Sequence, residues 1–118
     1  MNIQNYKKQL KETVVIPMTE FMNEWEDCDF TKNDIDECER LILEYLNALE
    51  GIAEPTNQEI MKHVKKLVLA LNELNEKTDD SLIETDGRES IWEIIQTSAI
   101  ECGLSDPEDD ITEEWREW

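Results

Sequence analysis

The sequence predicts an all-α fold: an antiparallel bundle of four main helices, the first kinked at Pro17, plus a short C-terminal helix. Three observations carry this expectation. Apolar residues recur three and four positions apart in four separate stretches, the spacing that lines them along one helix face. Helix-start signatures open two of those stretches, in Thr56-Asn57-Gln58-Glu59 and Asp86-Gly87-Arg88-Glu89. Two of the three glycines, Gly51 and Gly103, stand directly after apolar stripes, where a helix is expected to end.

The first stripe runs Ile3, Tyr6, Leu10, Val14, Pro17, Phe21 and Trp25. Proline in a helix removes one backbone hydrogen bond and its ring clashes with the preceding turn, so a kink is expected at Pro17. Trp25 closes the stripe and reads as a packing residue, as does Trp92 further on. Thr31 or Asn33 caps the second helix, with Asp34, Asp36 and Glu37 in its first turn, where the helix dipole favours negative charge. Its apolar face holds Ile35, Cys38, Leu41, Ile42, Tyr45, Leu46 and Leu49. Gly51 ends it in the left-handed conformation that glycine accepts, and the short loop to Pro55 makes the next helix an antiparallel neighbour.

The third helix contains the densest apolar run, Leu67-Val68-Leu69-Ala70-Leu71. Ile60, Val64, Leu67, Leu71 and Leu74 share a face, Val68 widens it, and Leu69 lies nearly opposite, so the middle of this helix belongs at the centre of the bundle. A polar loop follows, anchored by Leu82 and Ile83. Asp86 caps the fourth helix, whose stripe is Ile91, Trp92, Ile95, Ala99 and Cys102, and Gly103 closes it ahead of Leu104. Beyond it Ile111, Trp115 and Trp118 keep helical spacing, with Asp110 and Glu113 able to open one more short helix. No internal repeat or low-complexity linker divides the chain. Residues 1–118 are expected to be one helical domain, with 105–118 an acidic, tryptophan-containing C-terminal segment.

At 118 residues, folding removes roughly two-thirds of the unfolded chain's surface from water, enough for a real core. Thirty acidic side chains against 11 basic ones give a net charge of −19. Such a field repels phosphate, which disfavours nucleic acid and anionic membranes and favours a basic protein partner. The longest apolar runs are far too short to span a bilayer, and the N-terminal residues lack the apolar core of a signal peptide. Three cysteines, Cys28, Cys38 and Cys102, form no CxxC pair and read as free thiols in a reducing, cytoplasmic compartment.

Tests for chemistry return little. The isolated glycines exclude the common phosphate-binding loops. An EF-hand loop beginning at Asp79 would need an oxygen ligand where Ile83 stands, and one beginning at Asp106 a glycine where Ile111 stands. Glu59 and His63, four apart on one helix, could share a metal only with ligands from elsewhere. Lys62, Lys65 and Lys66 read as partners for surface acids. No catalytic residue, metal site or cofactor is expected.

The functional expectation rests on two acidic clusters, each beside aromatic residues. Glu24, Glu26, Asp27 and Asp29 crowd the end of the first helix, where the dipole prefers cations. Asp109, Asp110, Glu113 and Glu114 frame Trp115 and Trp118. Together they suggest a small binding protein that neutralises a basic toxin or nuclease, in the manner of a bacterial immunity protein or nucleic-acid mimic, with Trp115 or Trp118 as the anchor. The alternative is a structural or self-assembling protein, a homodimer whose tryptophan segment docks on a second copy. Whether those tryptophans dock on the bundle or on a partner is open from sequence.

Overall fold

The structure is a computed structural model that describes residues 2–104 and 110–118, apart from the side chains of Thr85 and Asp86. Among the described residues it is all helical, 71% helix with no strand. Helix α1 (Ile3–Leu10) runs without a break through a π-helical turn (Lys11–Val15) into α2 (Ile16–Glu24). Then come α3 (Lys32–Glu50), α4 (Asn57–Lys77) and α5 (Thr85–Cys102).

The π turn is how the first helix accommodates proline. A proline ring at position 17 would strike the carbonyl of residue 13 in a regular α-helix, and the wider π turn lies over that carbonyl. The surplus residue shows in the packing, because the adjacent Val14 and Val15 are both buried. The helix stops at Trp25, whose backbone is extended (φ −114°, ψ 121°).

Helix α3 opens on a full capping box. The Asp34 N–H donates to the Thr31 hydroxyl at 3.4 Å, and the Thr31 N–H donates to the Asp34 carboxylate at 2.9 Å. At its other end Gly51 is right-handed (φ −83°), so the expected left-handed cap is not formed there. Helix α4 makes half of the expected box: Thr56 Oγ1 accepts from the Glu59 N–H at 3.1 Å, while the Glu59 carboxylate lies 3.8 Å from His63 Nε2. Ile60, Val64, Leu67, Val68, Leu71 and Leu74 are buried as a face, but Leu69 is 43% exposed, which corrects the expectation of a helix surrounded on most sides. Helix α5 starts two residues earlier than expected, with Glu84 rather than Asp86 at its N-cap. Its end follows the expectation. Gly103 has φ 129°, its N–H donates to the Ile100 carbonyl at 3.0 Å, and the Leu104 N–H donates to the Ala99 carbonyl at 3.0 Å.

One apolar cluster joins all the helices, from Ile3 and Leu10 through Ile42 and Leu46 to Leu71 and Ile95. Each fully buried aliphatic side chain in it contributes roughly 1.5–3 kcal/mol. Polar contacts fix the register. The Tyr6 hydroxyl donates to the Glu101 carboxylate, which also accepts from the Asn2 N–H at 3.0 Å. Burial and that carboxylate push the Tyr6 hydroxyl up to about 12. Tyr45 donates to the Ile95 carbonyl at 3.0 Å and contacts Ser98, Lys11 meets Glu39 at 2.9 Å, and Lys77 meets Asp34 at 3.4 Å. Buried Asn75 organises the connection between α4 and α5: its side-chain oxygen accepts from the Ile83 N–H at 2.9 Å and its carbonyl from the Asp80 N–H at 2.8 Å. Asp79 and Asp80, both at φ 58°, complete that turn, and Leu82 and Ile83 drop into the core as expected.

Candidate functional site

The two acidic clusters have opposite fates. Glu24, at the last position of α2, and Glu26, Asp27 and Asp29 in the loop beyond it are all exposed. Among the described residues their carboxylates make no ion pair and no hydrogen bond. Trp25, expected to pack, is 60% exposed in their midst. The physical reason is the extended backbone at residue 25, which takes its side chain off the stripe that Phe21 would have continued.

Trp25 nevertheless has an aromatic footing. Its ring lies 5.9 Å from that of Phe21, and Phe21 stacks at 5.9 Å and 18° on Phe30. Exposure falls along this ladder from 60% at Trp25 to 36% at Phe21 and 3% at Phe30, so one end is wet and the other belongs to the core. A cleft of about 400 Å³ lies beside the loop, lined by its four carboxylates with Trp25, Ser81 and Glu84. A second, of about 390 Å³, continues from Phe21, Ser81 and Glu84 towards Pro17, Met18 and Leu82.

In the C-terminal segment, Asp110 and the two tryptophans are engaged by the chain itself. Asp109 lies outside the described residues. Asp110 accepts from the Thr112 N–H at 2.8 Å and pairs with Arg116. The side chain of Asn72, on α4, grips the segment by both its groups: Nδ2 donates to the Trp115 carbonyl at 2.7 Å, and Oδ1 accepts from the Glu117 N–H at 3.0 Å. The Ile111 N–H donates to Gln96 on α5 at 3.2 Å. Trp118 is buried under the Arg116 guanidinium, 5.4 Å from its ring centre, and Lys65 stands 5.8 Å over Trp115. Among the described acids of this segment, Glu113, Glu114 and Glu117 are exposed. Residues 111–115 form turns in place of the expected short helix.

Sequence reasoning placed Trp25 in the core and left the docking of Trp115 and Trp118 open. Trp25, read as core, faces solvent, and Trp118, offered as an anchor, is buried in its own chain. It also missed Phe30, Asn72 and Glu84. For Asn72 a signal existed: it stands four residues after Val68 on the buried side of α4. Phe30 sits between polar residues and carries no periodic signal.

Among the described residues no group of three or more His, Cys, Asp or Glu side chains could hold a metal ion. Burial pushes the Cys38 thiol up to about 12, which removes it as a nucleophile near neutrality. No helix among the described residues is long and apolar enough to cross a membrane. The chain matches no family model, and no curated protein or solved structure is significantly similar to it. Its class is that of an acidic, all-helical chain with one outward-facing aromatic cluster.

Proposed function

We propose that this chain is a single-domain binding protein that neutralises a basic protein, a toxin or nuclease, through the loop from Glu24 to Asp29. The observation that carries the reading is Trp25, exposed among four carboxylates that pair with no cation among the described residues. Apolar contact on the exposed ring and opposite charge on the crowded carboxylates would each be favourable, and a cationic protein surface supplies both. The carboxylates steer a cationic surface inward, and Trp25 with Phe21 supplies the apolar contact that holds it. Glu113 and Glu114 extend the acidic field, while Trp115 and Trp118 hold the C-terminal segment in place.

The architecture proposed beneath this surface is an up-and-down antiparallel bundle in which the first helix bends at Pro17. It is supported by Tyr6 meeting Glu101, Asp34 meeting Lys77, and Tyr45 meeting Ile95. The site then sits at one end of the bundle.

The test is affinity capture by the full chain at low salt from its source cells, followed by a salt gradient and an activity assay of what elutes. The expected result is a basic protein that is released by salt, inhibited at one-to-one stoichiometry, and no longer captured by the Glu26→Lys/Asp27→Lys double variant. Capture of no basic protein, or undiminished capture by the double variant, overturns the proposal. The self-assembly alternative is disfavoured by the grip of Asn72 on its own chain. A dimer in light scattering that is lost on deleting residues 111–118 would reinstate it.

A further inference from the structure

Resting on that reading, the two clefts beside α2 carry it further, from the sign of the partner to the form of the segment it presents. They adjoin, with Phe21, Ser81 and Glu84 lining both. One end is rimmed by carboxylates, and the other is walled by Val14, Pro17, Met18 and Leu82. The π turn supplies part of that wall through Thr13 and Val14, at the kind of helix irregularity that recurs at functional sites.

Gly87 is the second observation. It stands in the first turn of α5 facing Met18, and a β-carbon built there would sit 3.7 Å from Met18 Cε, an ordinary contact. Its φ is not positive, so no backbone requirement explains glycine at this position. Glycine weakens a helix relative to alanine. What its missing side chain achieves is to keep the cleft open.

We propose that this cleft seats one bulky apolar side chain of the basic partner, carried on a segment whose neighbouring lysines or arginines meet Glu24, Asp29 and Glu84 at the rim. Apolar burial then sets affinity within the cleft, and the rim charges set which segments approach it.

Two synthetic heptapeptides of equal charge test this, each with two lysines on either side of a glycine-flanked centre that is leucine in one and alanine in the other. Binding to the full chain is measured by calorimetry at low salt. The leucine peptide is expected to bind at least about tenfold more tightly, the worth of the extra apolar atoms buried. Gly87→Leu, which fills the cleft, is expected to erase that difference while leaving the helical circular dichroism intact. Should Gly87→Leu fail to fold, Thr13→Phe blocks the opposite wall from an exposed position. Equal affinity of the two peptides for the unaltered chain overturns the seat while the acidic reading stands. A preference that survives both blocking variants also overturns it. Failure of both peptides to bind overturns the acidic reading and the seat together.

Discussion

The loop from Glu24 to Asp29 and the segment from Asp110 to Trp118 are built from the same kinds of residue, acids around tryptophan, yet one faces outward and the other inward. The difference is not hydrophobicity. It lies in what the rest of the chain offers each backbone. At the C-terminal segment, Asn72 supplies a donor and an acceptor from a buried position on α4, Gln96 supplies another acceptor, and Arg116 neutralises Asp110. With the backbone satisfied there, Trp118 is buried at the cost of an indole N–H that has no partner among the described residues. The loop after α2 meets no such partner among the described residues, and its tryptophan stays on the surface.

Substitutions at both places separate these roles. Trp118→Ala is expected to have the largest effect, a loss of about 3 kcal/mol in urea unfolding, because a buried indole leaves a cavity behind. Trp118→Phe should stay within about 1 kcal/mol of the original. The indole N–H is buried with no hydrogen-bond partner among the described residues, so removing it relieves a cost. A large loss for Trp118→Phe would mean that the N–H does have a partner. Asn72→Ala is next, at about 2 kcal/mol, for two hydrogen bonds whose partners are left stranded. It should also shift tryptophan fluorescence to the red as Trp115 and Trp118 meet water, and an unshifted spectrum would show that the segment stays docked without Asn72.

Asp34, five residues beyond the exposed loop, is an acid turned inward, and it tests the same comparison. Burial alone would raise its carboxyl, but the Thr31 backbone N–H and hydroxyl, together with Lys77, outweigh burial and hold it below the usual value. A carboxyl lowered in the folded state stabilises above its unfolded pKa and loses that contribution as pH falls through its folded one. Asp34→Ala should therefore be about 1 kcal/mol less stable at neutral pH, the worth of a cap, and the gap should close in acid. A gap independent of pH would assign the effect to packing. The smallest effect is expected at Trp25→Ala, within about 0.5 kcal/mol of the original stability, while partner binding weakens about tenfold or more. A stability loss above about 1 kcal/mol would return Trp25 to the core.

Much of the fold is legible in the sequence because helix periodicity and capping are local. Ile60 to Leu74, the caps at Thr31 and Thr56, and the Gly103 closure all follow from residues within a few positions of one another. The site is less legible because each of its features depends on something distant or on a break in the period. Trp25 obeys the spacing from Phe21, but the spacing holds only while the chain is helical, and the helix ends at Glu24. The segment that carries Trp118 is held by Asn72, 43 and 45 positions before the two residues it bonds. The exposure of Leu69 shows the same limit: a dense apolar run identifies a buried helix but not how much of its circumference its neighbours cover.

The π turn sets the angular phase of the whole N-terminal end. Successive residues of an α-helix are rotated by about 100°, so one residue removed from Lys11–Val15 would turn α1 by about that angle relative to α2. Ile3, Tyr6 and Leu10 would swing away from the core and Tyr6 would lose Glu101, although no contact of theirs had been altered. The chain can therefore exchange almost any side chain in that turn more safely than it can shorten the turn by one.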